Sequence, residues 1–350
     1  MKKIKQLLYK ATHWEYWPFA LVYFPMFFVW LYYSIRSRTV FFFLPANPGI
    51  PNAGFLMESK KEIYDSLPAG FAPKTILVAP GTTSHVIMID MARAGIDFPC
   101  IAKPDIGMKG MAVSLLDDET GLAGYASKAD FAFLIQEYIR LPKEAGIFYY
   151  KMPGTGSGRI SGITKKEFLT VKGDGCSSLR ELVKNNPRYN FQLSALEHLY
   201  GNALEFVLAK GELKTLVPYG NHARGAKFMD ITRLADKQLE KTIDDFCRRV
   251  PGFHFGRLDI RYSSWEELKE GKAFSVIELN GAGSEPTHIY DPRYSLLDAW
   301  KEIARHYRLL FVISHKNHKL GHRHLSFRQG WRLICDNKKQ VKKLEAFTRK

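Results

Sequence analysis

Two segments late in the chain carry side chains able to do chemistry together. FGRLDIRY sets Arg257 and Asp259 two residues apart, and AFSVIELN does the same for Glu278 and Asn280. Residues two apart in extended backbone share a face, so each pair presents its groups on one side of a strand. Two carboxylates and an amide oxygen suit Mg²⁺, a hard cation that keeps several waters and takes nucleotide phosphates as further ligands. Much earlier, Lys103 ends the apolar run PCIAKP and opens into PDIGMKG, where Gly107 and Gly110 let backbone N–H groups approach phosphate oxygens. Singly, acidic strand ends are ordinary surface groups and a glycine loop is an ordinary turn. Together they are parts of a site for a triphosphate and a divalent cation.

The elements that must position these residues are of both kinds. SKKEIYDSLP has helical spacing and stops at Pro68, while KTILVAP, PCIAKP and KADFAFLIQEYI read as strands between turns. FYYKM, RISGIT and EFLTV follow as β-type segments separated by glycine-rich turns. SLRELVKN and LADKQLEKTIDDFCRRV are helical, the second ended by Pro251-Gly252. FGRLDIRY and AFSVIELN then read as neighbouring strands joined by the connector SSWEELKEGK. The fold class is α+β, with no internal repeat.

In that order the motifs resemble the ATP-grasp superfamily, in its D-alanine–D-alanine ligase, ribosomal-protein glutamate ligase and cyanophycin synthetase branches, from about Met57 to Pro292. The resemblance implies two α+β subdomains clamping a nucleotide. MESKKEIYDSLPAGFAPKT is similar to the segment that supplies a first nucleotide-binding lysine, here Lys60. FPCIAKPDIGMKGMAV is similar to the strand with a second, Lys103, and its phosphate-covering loop with Gly107 and Gly110. LIQEYI resembles the adenine hinge, so Gln136 or Glu137 and the backbone at Tyr138 and Ile139 would hold the base, with Glu144 on the ribose. VKGDGCSSLRELV resembles a turn-and-helix segment of the cyanophycin synthetase type. FGRLDI with FSVIELNGAGSEPT implies that Arg257 steadies the transferred phosphoryl group and that Asp259, Glu278 and Asn280 hold Mg²⁺ or Mn²⁺. In GNHARGAKF, Arg224 or Lys227 would contact phosphate and His222 would act as acid/base or acceptor contact; Ser284, Glu285, Thr287 and His288 would line an acceptor pocket.

The implied chemistry is ATP-dependent joining of a carboxylate to an amine through an acyl phosphate. A carboxylate must attack a γ-phosphate that is itself anionic, so lysines, Arg257 and a divalent cation have to offset the repulsion, and a glycine lid keeps water from the intermediate. A kinase using the same cradle on a hydroxyl and a non-catalytic nucleotide-binding membrane adaptor are the rival readings.

Twenty uncharged residues, Tyr16 to Ile35, separate Glu15 from Arg36. As a helix they would reach about 30 Å, the thickness of bilayer hydrocarbon. Lys2, Lys3, Lys5 and Lys10 before the run and Arg36 and Arg38 after it prefer the same cytoplasmic side, and Pro25 sits within it, which favours a bent, re-entrant segment over a single span. The net charge of +16 is concentrated at the C-terminal end, where residues 301–350 hold 14 basic and 3 acidic side chains. An anionic membrane surface is the expected partner, and nucleic acid is not, because no zinc-finger or RNA-recognition pattern accompanies the charge. A carboxylate and an amine that are lipid-linked or amphiphilic would fit enzyme action at the cytoplasmic face. The irregularly spaced His315, His318, His322 and His324 read as a solvated surface rather than a metal site. Cys100, Cys176, Cys247 and Cys335 lack disulfide or zinc spacing and suit a reducing compartment. The expected organisation is 1–50 membrane segment and connector, the latter holding the apolar strand or anchor TVFFF; 51–135 first ATP-grasp subdomain; 136–310 second subdomain with the metal site; and 311–350 basic tail.

Overall fold

The computed structural model describes residues 2–108 and 110–349. The chain opens with α1 (Lys2–Thr12) and α2 (Phe19–Ser37), then turns and short 3-10 segments. A first lobe follows, made of α3 (Lys60–Ser66), β1 (Thr75–Val78), α4 (Ser84–Ala94), β2 (Cys100–Pro104), β3 (Ser114–Leu116), α5 (Glu119–Lys128) and β4 (Phe133–Glu137). Its strands form one antiparallel sheet in the order β1-β4-β2-β3. Ser59 starts α3 by accepting the Glu62 N–H, and Asp118 starts α5 by accepting that of Gly121. Each removes one of the unpaired donors of a first turn.

The second lobe is a five-stranded antiparallel sheet of β5 (Lys143–Tyr150), β6 (Arg159–Glu167), β9 (Lys227–Asp230), β10 (Phe255–Tyr262) and β11 (Phe274–Asn280), in the order β11-β10-β5-β6-β9. Between β6 and β9 the chain inserts a β7 (Leu169–Lys172) and β8 (Leu213–Val217) ribbon with α6 (Leu179–Asn185) and α7 (Leu193–Tyr200), which has its own core around Leu179, Val183 and Leu204. Strand alternation splits the large sheet into two faces. Ala145, Ile147, Leu258, Ile260 and Val276 pack against Leu239, Ile243 and Phe246 of α8 (Lys237–Cys247). The residues between them, Glu144, Arg257, Asp259 and Arg261, stand on the opposite face. One sheet thus supplies both a core and a site. A short α9 (Trp265–Lys269) lies in the connector before β11, and α10 (Leu296–Lys319) and α11 (Phe327–Arg349) complete the chain.

The mixed α and β architecture expected from the motifs is present, with three local differences. Phe41, Phe42 and Phe43 form no strand. They lie in turns and fill a core shared with Phe148, Phe255 and Phe311, while Asn317 donates to the Pro45 carbonyl (2.8 Å) and Asn47 to that of Phe255 (2.7 Å). These amides replace the sheet partners that a proline-rich stretch cannot find. From Phe19 onward the N-terminal apolar run is one continuous helix with Pro25 inside it, so the chain does not turn back within it as a re-entrant segment would. It is held along α10, where Trp300 Nε1 donates to the Val22 carbonyl (2.8 Å). Finally, the basic residues from 311 onward are largely helical, completing α10, within which position 310 falls, and forming α11. Leu344 is fully buried in the first lobe's core with Phe347 packed against it, because Ile334, Leu344 and Phe347 recur at helical spacing among the basic residues of α11.

Candidate active site

Asp259 pairs directly with Glu278, and Arg257 with Asn280, across β10 and β11. Cross-strand partners share a face, so the four groups expected to act together do converge. Space for them is made by Gly146 on β5, where a Cβ would lie 3.0 Å from Asp259 Oδ1 and 3.1 Å from Arg257 Cδ. The register shifts after Asp259, leaving Ile277 as an extra residue in β11. Such a bulge re-aims a backbone group, and here the Ile277 carbonyl accepts hydrogen bonds from Tyr64 and, at 3.4 Å, from Lys103 Nζ of the first lobe. The bulge is therefore where the two lobes meet.

Lys103 is 9% exposed and donates to Tyr64 Oη (2.6 Å) and Gln136 Oε1 (2.8 Å). Burial pushes its ammonium down to about 8 from an ordinary 10.5, against an upward pull from Glu278. The neutral form is favoured inside, so the unfolded chain binds more protons between pH 8 and 10.5. The resulting penalty, about 3 kcal/mol at neutral pH, is fully present below pH 8 and relieved as pH rises to 10.5. An anionic phosphate beside this amine would restore its proton. Nucleotide binding at pH 8.5 is accordingly expected to take up roughly half a proton or more, read by calorimetry in two buffers of different ionisation enthalpy. Lys103→Met should abolish the uptake.

The two acidic residues differ in environment. Asp259 Oδ1 accepts from Arg257 Nε (3.1 Å) and is 3.0 Å from Lys166 Nζ, while Oδ2 accepts from Arg257 (3.1 Å) and from Asn280 Nδ2 (3.2 Å). Those four donors match the roughly four lone-pair sites of a carboxylate. Burial raises the Asp259 carboxyl, but Arg257 and Lys166 together hold it well below its ordinary value. Lys166 also meets Glu144 (2.9 Å), whose other oxygen accepts from the Gly220 N–H (3.1 Å) and lies 3.4 Å from Arg261. By contrast, Glu278 has no hydrogen bond or ion pair among the described residues. Because a carboxylate only accepts, Asn280 must turn its NH₂ to Asp259, which frees its amide oxygen. Glu278 and Asn280 thus fit a divalent cation as they stand; Asp259 backs them and can ligate only by releasing a donor. Among the described residues there is no group of three or more His, Cys, Asp or Glu suited to a metal.

The other expected residues fall into three groups. Lys60 and Arg224 both hold the glycine loop: Lys60 Nζ donates to the Gly107 carbonyl (2.6 Å), and Arg224 donates to that of Gly110 (3.4 Å) and to Tyr219. Gln340 of α11 takes the Ile106 carbonyl (2.9 Å). With these carbonyls held, the N–H groups of Gly107, Met108 and Gly110 make no hydrogen bond to a described residue; Lys109, between them, lies outside the described residues. At the hinge, the backbone of Tyr138 and Ile139 likewise makes no hydrogen bond to a described residue, whereas the Gln136 side chain is committed to Lys103 and Thr75 and Glu137 accepts from the Lys74 N–H (3.2 Å). A third group is drawn elsewhere. Glu144 is buried in the ion-pair network, His222 lies 3.0 Å from Glu15 Oε2, and Lys227 pairs in register with Glu167, on the face away from Lys166. Of the acceptor candidates, Thr287 and His288 are buried against Thr164 and Glu302, Ser284 donates to Gly281, and only Glu285 meets the site, its carbonyl accepting from Arg257 (2.9 Å).

Three contributors carried no sequence signal. Lys166 sits in an ordinary KKE run, Tyr64 in an ordinary helix, and Glu58 beside a cap, yet the Glu58 carboxyl is raised by burial with Oε2 unpartnered, and Glu278 acts on it. A separate open cleft of about 660 Å³ is lined by Asp230, Arg233, Arg293, Asp298, Lys301 and Arg305 and includes none of these groups.

No family model and no curated protein matches the chain. Among solved structures it is similar to a bifunctional glutathione synthetase from Pasteurella multocida (TM-score 0.36, 16% identity, 67% of this chain and 34% of that one). It is also similar to the VanG D-Ala:D-Ser ligase from Enterococcus faecalis (0.40, 14%, 71% and 61%) and to a D-alanine–D-alanine ligase from Bacillus anthracis (0.40, 14%, 75% and 67%). The chain spans about a third of the synthetase's length. Likenesses this distant decide nothing about activity, which is carried by the side chains described above.

Proposed function

We propose that this chain is an ATP-grasp ligase that joins a carboxylate to an amine, releasing ADP and phosphate. The observation that carries it is the meeting, at the Ile277 bulge, of a buried lysine from one lobe with Glu278, which pairs with no described residue, an amide oxygen and Arg257 from the other. Opposed cations and a free carboxylate across an interlobe seam suit a polyphosphate with its divalent metal better than any neutral ligand. Glu278 and the Asn280 oxygen would hold Mg²⁺, which when bound neutralises phosphate charge. Lys103 and the loop N–H groups would orient the phosphates, the Tyr138 and Ile139 backbone the base, and Arg257 the anion formed as the carboxylate attacks. Deprotonated amine would then displace phosphate from the acyl phosphate. Since Tyr23 of α2 lies beside Glu285, whose carbonyl accepts from Arg257, an amphiphilic or membrane-delivered substrate is the natural class.

The test is to incubate the protein with membrane extract, Mg²⁺-ATP and hydroxylamine as surrogate amine. Equimolar ADP and phosphate with a hydroxamate are expected. ADP without free phosphate would replace this reading by transfer to a hydroxyl, and nucleotide binding without any product would leave an adaptor.

A further inference from the structure

Helix α2 has two apolar sides, and the described residues cover only one. Toward α10 it buries Val22 and Met26, stacks Tyr33 on Phe311 (4.6 Å between rings), and sets Trp30 against Phe42 (4.6 Å) and Tyr307 (5.6 Å). Just before it, Trp14 donates to the Tyr294 carbonyl (2.9 Å). Facing away are Leu21, Phe24, Phe28, Leu31 and Ile35, spaced three, four, three and four residues apart. That spacing makes one stripe of about 21 Å, and Phe24, Phe28 and Ile35 are 63%, 58% and 69% exposed. Exposed cations stand beyond both ends, Lys10 before and Arg36 and Arg38 after. Near the C-terminal end, the Phe41 ring lies 6.3 Å from Phe327, which stacks on Trp331; both of the latter are exposed, as are Arg328 and Arg332 beside them.

We infer that this face docks on an anionic lipid bilayer with α2 lying in the plane of the headgroup boundary. A continuous aromatic and aliphatic stripe of this size marks an interaction surface, and cations at its margins select anionic headgroups. A second copy of the chain is the poorer occupant, since stripe-to-stripe contact would set cations against cations at the ends. The helix is long and apolar enough to cross a bilayer. Crossing, however, would strip it from α10, exposing Met26 and Trp30 and leaving Trp300 Nε1 without the Val22 carbonyl. Docking would also reach the site: Glu15, next to α2, holds His222 and Arg188, and Arg224, two residues from His222, holds Gly110. The inference deepens the membrane-delivered part of the proposed function but does not need ligase chemistry.

The full-length protein should float with phosphatidylglycerol-containing vesicles, less at high salt, and not with phosphatidylcholine alone. The variant F24E/F28E/L31E, changed only at exposed positions, should lose at least tenfold in partitioning while keeping its melting temperature and ATP binding. Spin labels on F24C, F28C and I35C, with exposed Cys176 replaced by Ser, should report equal depths. Depth graded from position 24 to 35 would overturn the in-plane arrangement in favour of a crossing, and a lipid-free dimer abolished by the triple substitution would overturn the bilayer as occupant. Intact flotation without any ATP turnover would support docking while counting against the ligase.

Discussion

Replacing Glu278 by Gln is expected to lower Mg²⁺-ATP turnover at least about a hundredfold, the scale of losing one charge-stabilising group in a preorganised site. The protein should stay folded to within about 0.5 kcal/mol. The two effects separate because Glu278 makes no hydrogen bond or ion pair with a described residue, so its removal leaves no partner stranded, while the volume of the side chain is kept. Turnover that remains should need more Mg²⁺. A second readout is independent of catalysis. Glu278 pulls the Lys103 ammonium upward, so its loss should drop that group further below about 8 and move the pH window of proton uptake on ATP binding downward. Unchanged Mg²⁺ dependence together with an unmoved window would remove Glu278 from the site.

The pairing that makes this prediction possible was readable in the sequence; the asymmetry between its carboxylates was not. Strand periodicity puts Glu278 beside Asn280 and Arg257 beside Asp259, and the antiparallel register joins the pairs. What commits Asp259 to the protein is Lys166, from a strand more than ninety residues earlier, positioned by β5 lying between β6 and β10. A one-dimensional pattern holds no term for that neighbour. The same limit applies to Gln136, whose place on β4 turns its amide to Lys103, and to Lys227, which β-register assigns to the face of Glu167.

Helix ends were legible where local chemistry decides them, as at Pro68 after α3 and at Pro251-Gly252 beyond α8, whereas α5, started by Asp118, was not read. They were obscured where one signal masked another. The apolar positions Ile334, Leu344 and Phe347 were present in the basic segment, but charge density hid their spacing, and a run of three phenylalanines imitated a strand although Pro45 and the neighbouring turns forbid sheet pairing. Glu15 marked only the end of an apolar run until the fold brought it to His222 and Arg188.

Asp259→Asn is expected to cost about 3 kcal/mol or more, since removing one member of a buried, hydrogen-bonded ion network strands the others. Lys166 would keep Glu144, but Arg257, 14% exposed at its side chain, would lose its only ion-pair partner among the described residues. For a chain of 350 residues that corresponds to a fall of roughly 4 °C in melting temperature. The pH dependence gives the sharper check. The folded Asp259 carboxyl is held below its unfolded value of 3.8, so its stabilisation is complete above that value and is lost as pH falls through the lower, folded one. The stability gap between native protein and variant should therefore be constant near neutrality and close on acidification below about pH 4. A double variant with Lys166→Met should lose less than the sum of the two single losses, because both act on one network. Strict additivity, or a gap that stays open in acid, would mean that Asp259 is not held by Lys166 and Arg257 in solution.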